Sequence, residues 1–207
     1  RETFFARIVL FFPILDPRYL AIERAYNAAK DAFREIKREG GQRYFEHLRA
    51  VALILIVHLR VKNHNIIIAA LLHDLVEDCP EWTIQRVRAE FGDEVALLVD
   101  FLTKHKFPGK TDEECAAIYH ERFRFAPREF FLIKLADRLH NLITLWACSP
   151  EKRRRKIAET RAHYLFWAEE HCILIHEIEG AIELLENDMR VPSISNETQQ
   201  PLPLAPQ

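Results

Sequence analysis

Six residues suited to holding a metal or moving protons stand out by type and spacing. His73, Asp74, Glu77 and Asp78 interrupt the apolar run Ala-Ala-Leu-Leu-His-Asp-Leu-Val-Glu-Asp, His47 closes Tyr-Phe-Glu-His, and Asp137 lies within Lys-Leu-Ala-Asp-Arg-Leu-His-Asn. Groups of this kind are costly to bury in apolar surroundings without partners. On a continuous helix Glu77 stands four residues after His73 and Asp78 four after Asp74, so all four share a face that a cation would neutralise. A His-Asp pair by itself is weak evidence in a chain with ten histidines. Joined by His47 and Asp137 it becomes a ligand set of two imidazoles and two carboxylates. Such a set suits an octahedral Mn²⁺ or Fe²⁺ better than the sulfur-rich sites of structural zinc, and Co²⁺ or Zn²⁺ stays open as an occupant. Plainer readings stay open as well: a core histidine at His47, an ion pair at Asp137-Arg138, and a solvated helix face at Glu77-Asp78.

Those residues need rigid elements to position them. Five glycines in 207 residues, and long stretches with apolar residues three and four apart, predict an all-α helical bundle of about ten helices. The expected spans are 2–11, 17–38, 46–59, 64–77, 83–91, 93–104, 111–123, 128–146, 150–171 and 172–187. Asp16-Pro17 and Ser149-Pro150 act as start signals, Gly40-Gly41 as the end of the second helix, and Lys104–Lys110 as a basic loop. One domain is expected over 1–190, followed by a flexible Pro/Gln-rich tail over 191–207 that has no apolar periodicity.

With 49% hydrophobic and 29% charged residues the chain can bury one substantial core, and a net charge of -2 excludes a general polyanion-coating surface. Phosphate recognition would therefore rest on local clusters and a small ligand. Arg153-Arg154-Arg155-Lys156 reads as a solvated helix face rather than a nucleic-acid patch. Four scattered cysteines without a CxxC pair, no visible signal peptide and no apolar run of membrane-spanning length lead to the expectation of a cytoplasmic protein. The oligomeric state is not legible.

The order His47, His73-Asp74, Asp137 resembles the H…HD…D pattern of the HD superfamily. Leu-Leu-His-Asp-Leu-Val-Glu-Asp and Ile-Lys-Leu-Ala-Asp-Arg-Leu-His-Asn-Leu resemble, more narrowly, the signatures of RelA/SpoT hydrolase domains, and the similarity runs from about Ala25 to about Glu169. It takes in Phe91–Asp100 and the stretch beginning at Lys152. With no synthetase domain after it, the chain is expected to be of the stand-alone small alarmone hydrolase type.

The resemblance implies that His47, His73, Asp74 and Asp137 bind Mn²⁺, while Glu77 and Asp78 orient and deprotonate water or relay a proton to the leaving oxygen. It implies removal of the 3′-diphosphate from (p)ppGpp. Candidates for phosphate binding are Arg38, Lys104, Lys106 and Lys110. Tyr44 is a candidate for stacking on a base, Asn141 and Thr144 lie on the ligand-bearing face after Asp137, and Tyr164 matches a substrate-contacting position of the small hydrolases. The chain departs from the family at Glu39, Arg43, Leu48 and Ile143, where a cation, two prolines and an arginine are usual. Two further readings follow. The same centre could act on another phosphorylated substrate, either NADPH or the 3′ end of a tRNA, with a cognate toxin as partner. Alternatively, the chain is a nucleotide-sensing module without turnover, against which the intact Glu77-Asp78 pair argues.

Overall fold

The computed structural model describes residues 1–190 and is all-α. Its helices are α1 (Glu2–Ile8), α2 (Pro17–Ala32), α3 (Tyr44–Leu53), α4 (His64–Leu72), α5 (Leu75–Asp78), α6 (Ile84–Phe91), α7 (Asp93–Leu102), α8 (Asp112–Glu121), α9 (Arg128–Ile143), α10 (Pro150–His163), α11 (Leu165–His171) and α12 (Ile175–Arg190). Among the described residues no strand forms, and Lys37 and Arg43 make only an isolated bridge. The expected tail over 191–207 lies outside the described residues.

Capping chemistry sets several starts. Asp16 accepts the Arg18 N–H ahead of Pro17, Ser149 accepts the Lys152 N–H ahead of Pro150, and Thr111 with Glu114 forms a reciprocal capping box before α8. Helix α4 is the hub: every residue from Ile66 to Leu72 is buried, as expected of a helix that is apolar on all sides. It packs on α2, α3 and α7, while α9 packs on α3, α7, α11 and α12. No helix among the described residues is long and apolar enough to cross a membrane.

Three expected helices are broken, each where a side chain makes a contact that competes with the helix. The second ends at Ala32 rather than at Gly40-Gly41, because Phe33 is buried and stacks on Tyr44 with ring centroids 4.9 Å apart. The chain then doubles back, with Arg38 N–H on the Gln42 carbonyl, Gly41 at φ 78° and Tyr44 N–H on the Ile36 carbonyl. The helix expected over 64–77 stops at Leu72, since the His73 imidazole takes the Ala70 carbonyl that a helical Asp74 N–H would need. Asp74 sits at φ -100°, ψ 0°, and α5 is a separate turn. The span 150–171 divides at Tyr164, which is buried against the Arg138 side chain of α9. The expected helix over 172–187 starts instead at Ile175, after left-handed turns at Cys172 and Leu174.

Candidate metal centre and active site

Three elements bring the ligand-type residues together: α3 carries His47, the end of α4 carries His73 with Asp74 just beyond it, and α9 carries Asp137. Both histidines and Asp137 are at least 96% buried. His47 Nε2 lies 3.2 Å from Asp137 Oδ1 and 3.7 Å from Asp74 Oδ2, and His73 Nε2 lies 3.0 Å from Asp74 Oδ2 and 3.7 Å from Asp137 Oδ1. One ligand atom from each of His47, His73 and Asp74 falls within 4.8 Å of the others.

The tautomer of His73 follows from its surroundings. Its Nδ1 is 2.8 Å from the Ala70 carbonyl, which only accepts, so the proton is on Nδ1. Nε2, buried, turned on the carboxylates and without a hydrogen-bond partner, is then the atom left to take either a proton or a metal ion. Lone pair against carboxylate is repulsive unless a proton or a cation sits between them. Burial opposes a charge on His73, yet Asp74 and Asp137 hold its pKa up to about 10. Burial also lowers the pKa of His47, which keeps that imidazole neutral. The pocket therefore attracts positive charge, and the donor set of two imidazole nitrogens and two carboxylates fits a divalent cation with oxygen preference.

The stripe expected on one continuous helix is corrected by the break at Asp74. Glu77 and Asp78 come off α5 instead, and Glu77 Oε2 accepts the Lys104 backbone N–H at 2.9 Å. Tyr44 donates to Asp74 Oδ2 at 2.9 Å. Desolvation, with Asp74 and Glu77 as negative neighbours, carries the Asp78 carboxyl up to about 6.

A cavity of about 300 Å³ is lined by Asp74, Glu77, Lys104, Asp137, Asn141 and Tyr164 among others. A second, of about 470 Å³, adjoins it and is lined by Arg38, Glu39, Thr144 and Lys152, with Tyr44, Asn141 and Lys156 common to both. Arg38 bridges across α9 to Asn141 Oδ1 at 2.6 Å and Thr144 Oγ1 at 3.0 Å, and Asn141 Nδ2 passes the contact on to Asp137 at 2.6 Å. One face of the Tyr44 ring is covered by Phe33. Tyr164 is buried, with the Arg138 guanidinium 3.8 Å from its ring centre. Lys106 and Lys110 are exposed and line neither cavity. Of the departures, Glu39 is ion-paired with Lys152, and Arg43 with Glu46.

Several residues of the site escaped the sequence reading. Lys134, one turn before Asp137, binds its Oδ2 at 3.0 Å, and together with the two histidines it holds that carboxyl well below the ordinary range against the cost of burial. A lysine in an apolar helix next to a buried aspartate was the available signal. His140 places Nδ1 2.8 Å from His47 Nδ1, and Arg138 pairs with Glu159 at 3.0 Å. His140 was within reach, three residues after Asp137 on the same face.

A family model described as HD domain matches residues 25–168. The chain belongs to the HD-domain family. It is 37% identical over 166 residues to the Haemophilus influenzae guanosine-3′,5′-bis(diphosphate) 3′-pyrophosphohydrolase, covering 78% of this chain and 23% of that protein. With the Escherichia coli bifunctional (p)ppGpp synthase/hydrolase SpoT it shares 36% identity over 176 residues, 83% of this chain and 24% of the relative. The Aquifex aeolicus guanosine-3′,5′-bis(diphosphate) 3′-pyrophosphohydrolase is 40% identical over 147 residues, 69% of this chain and 20% of its own length. The chain thus spans about a quarter of the curated relatives it matches. A solved structure, of a metazoan orthologue of SpoT described as hydrolysing ppGpp, superposes with a TM-score of 0.68 at 23% identity, over 82% of this chain and 96% of that one. That likeness is one of fold.

Proposed function

We propose that this HD-domain chain is a Mn²⁺-dependent phosphohydrolase that removes the 3′-diphosphate from (p)ppGpp, working in the cytoplasm. The observation that carries it is the pair of buried imidazole Nε2 atoms turned on Asp74 and Asp137, in a chain whose curated relatives are named for that hydrolysis.

His47, His73, Asp74 and Asp137 would hold the cation, which when bound supplies Lewis-acid polarisation and water activation. The protein's own groups divide the remaining tasks of phosphate-ester hydrolysis. Glu77, held by the Lys104 N–H, orients the attacking water. Asp78, with its pKa near 6, is suited to taking a proton and returning it to the leaving oxygen near neutral pH. Arg38, Lys104 and Lys156 line the cavities where phosphoryl oxygens would lie, Tyr44 offers its ring edge to the nucleoside, and Asn141, Thr144 and Tyr164 shape the wall.

A double variant, Glu77→Gln with Asp78→Asn, is expected to lose more than about 100-fold in turnover, the usual order for removing acid–base groups, while titration calorimetry still reports Mn²⁺ binding. Retained turnover would take both carboxylates out of the chemistry.

One observation favours a second substrate. In the larger cavity Lys152 is paired with Glu39 and Lys156 with Glu159, which leaves less free positive charge for a second diphosphate. Another phosphorylated substrate, such as NADPH with its 2′-phosphate or a pyrophosphorylated tRNA 3′ end, fits that balance, and parallel assays on the three substrates separate the readings.

A further inference from the structure

We infer that His140, together with Arg38, is a positioning residue that locks His47 in the tautomer a metal ligand requires; the inference rests on the reading of this site as a metal centre. His47 Nδ1 and His140 Nδ1 are 2.8 Å apart, so one proton lies between them and one of the two nitrogens accepts. Arg38 decides which. Its Nη1 stands 3.5 Å from the same His140 Nδ1, and a guanidinium only donates, so His140 Nδ1 is the acceptor of the cluster. The proton therefore resides on His47 Nδ1, and His47 Nε2 is left bare toward Asp137 and Asp74. His73 reaches the same state through the Ala70 carbonyl. The two imidazoles are thus held by different devices, one a backbone carbonyl on their own helix and the other a side chain supplied from α9.

Arg38 is fixed by Asn141 and Thr144, so its aim at His140 does not depend on an exposed, freely rotating side chain. The same residue lines the larger cavity. A ligand that drew Arg38 away would loosen the tautomer lock, which couples the cavity wall to the ligand field at His47.

The test combines ¹⁵N NMR of the histidine rings in the metal-free full chain with Mn²⁺ titration by calorimetry. The wild type is expected to show His47 as the Nδ1–H tautomer and His140 as the Nε2–H tautomer. His140→Leu should give His47 mixed tautomers and weaken Mn²⁺ binding about 10- to 100-fold, the usual cost of losing a partner that orients a ligand. His140→Gln, whose amide oxygen accepts the same proton, should restore most of the affinity. A wild-type His47 found as the Nε2–H tautomer, or a His140→Leu protein with unchanged tautomers and affinity, overturns the inference. The expected tautomers in a wild type that binds no Mn²⁺ would uphold the lock and reject the metal reading alone.

Discussion

His73 commits its Nδ1 proton to the Ala70 carbonyl and is left with a buried Nε2 that has no hydrogen-bond partner beside a carboxylate oxygen. A proton or a cation has to sit between them, and a divalent cation takes the proton's place. Mn²⁺ at about 100 times its dissociation constant should therefore add about 2.7 kcal/mol of stability. For a domain of this size that corresponds to a rise in Tm of roughly 5–10 °C, reversed by chelation and absent in Asp137→Asn. A thermal-shift assay reads this directly, and an equal shift in the variant would place the ion elsewhere. At this scale the sequence was legible where a polar residue broke an apolar helix, as at His73-Asp74 and Asp137. It placed His140 on the face of Asp137 but gave no sign of its partner His47, distant in the chain, nor of the tautomers, which depend on what each ring nitrogen meets in space.

Helix starts were legible because caps are local chemistry: Asp16, Ser149 and Thr111 each bond an N–H two or three residues on. Breaks were not, because Phe33, Asp74 and Tyr164 leave the helix for contacts with other elements, which override propensity. The break at Asp74 has a functional consequence, since it swings Glu77 and Asp78 onto a turn of their own. The return loop after α2 is tied to α10 by Glu39 and Lys152, a contact legible only as an unusual acidic residue after Arg38. Glu39→Gln should free Lys152 toward the larger cavity. The expected result is a KM for an anionic nucleotide lower by about two- to fivefold, as befits an exposed pair worth no more than about 1 kcal/mol, with kcat little changed. A higher KM would mean that Glu39 itself contacts the ligand.

Across the whole molecule, α4 and α9 form a buried frame, and the site lies where the end of one meets the middle of the other. The fold class was legible from composition and periodicity, because a nearly glycine-free, helix-periodic chain has few alternatives. Beside the site His120 stacks on His163 with centroids 4.0 Å apart, and burial, followed by His163, depresses its pKa to about 4; Glu159 opposes the shift, while Arg138 and Lys134 reinforce it. Between pH 6.5 and 4 the unfolded chain binds the proton that folded His120 refuses. Stability from this group is thus full above about pH 6.5 and falls as the pH drops toward 4, by roughly 1–2 kcal/mol after discounting its partial exposure. Melting temperatures at pH 7 and pH 4.5 should converge in His120→Phe, and an undiminished acid shift in that variant would assign the effect to other groups. The central claim, that this frame supports a metal-dependent attack on a 3′-diphosphate, is met most directly by pyrophosphate release from (p)ppGpp with Mn²⁺ and after chelation, alongside NADPH and 3′-pyrophosphorylated tRNA. Release from (p)ppGpp that appears with Mn²⁺ and vanishes without it is the predicted result. Preferential turnover of another substrate would reassign the function of the same centre, and no turnover of any of the three would contradict the hydrolase account.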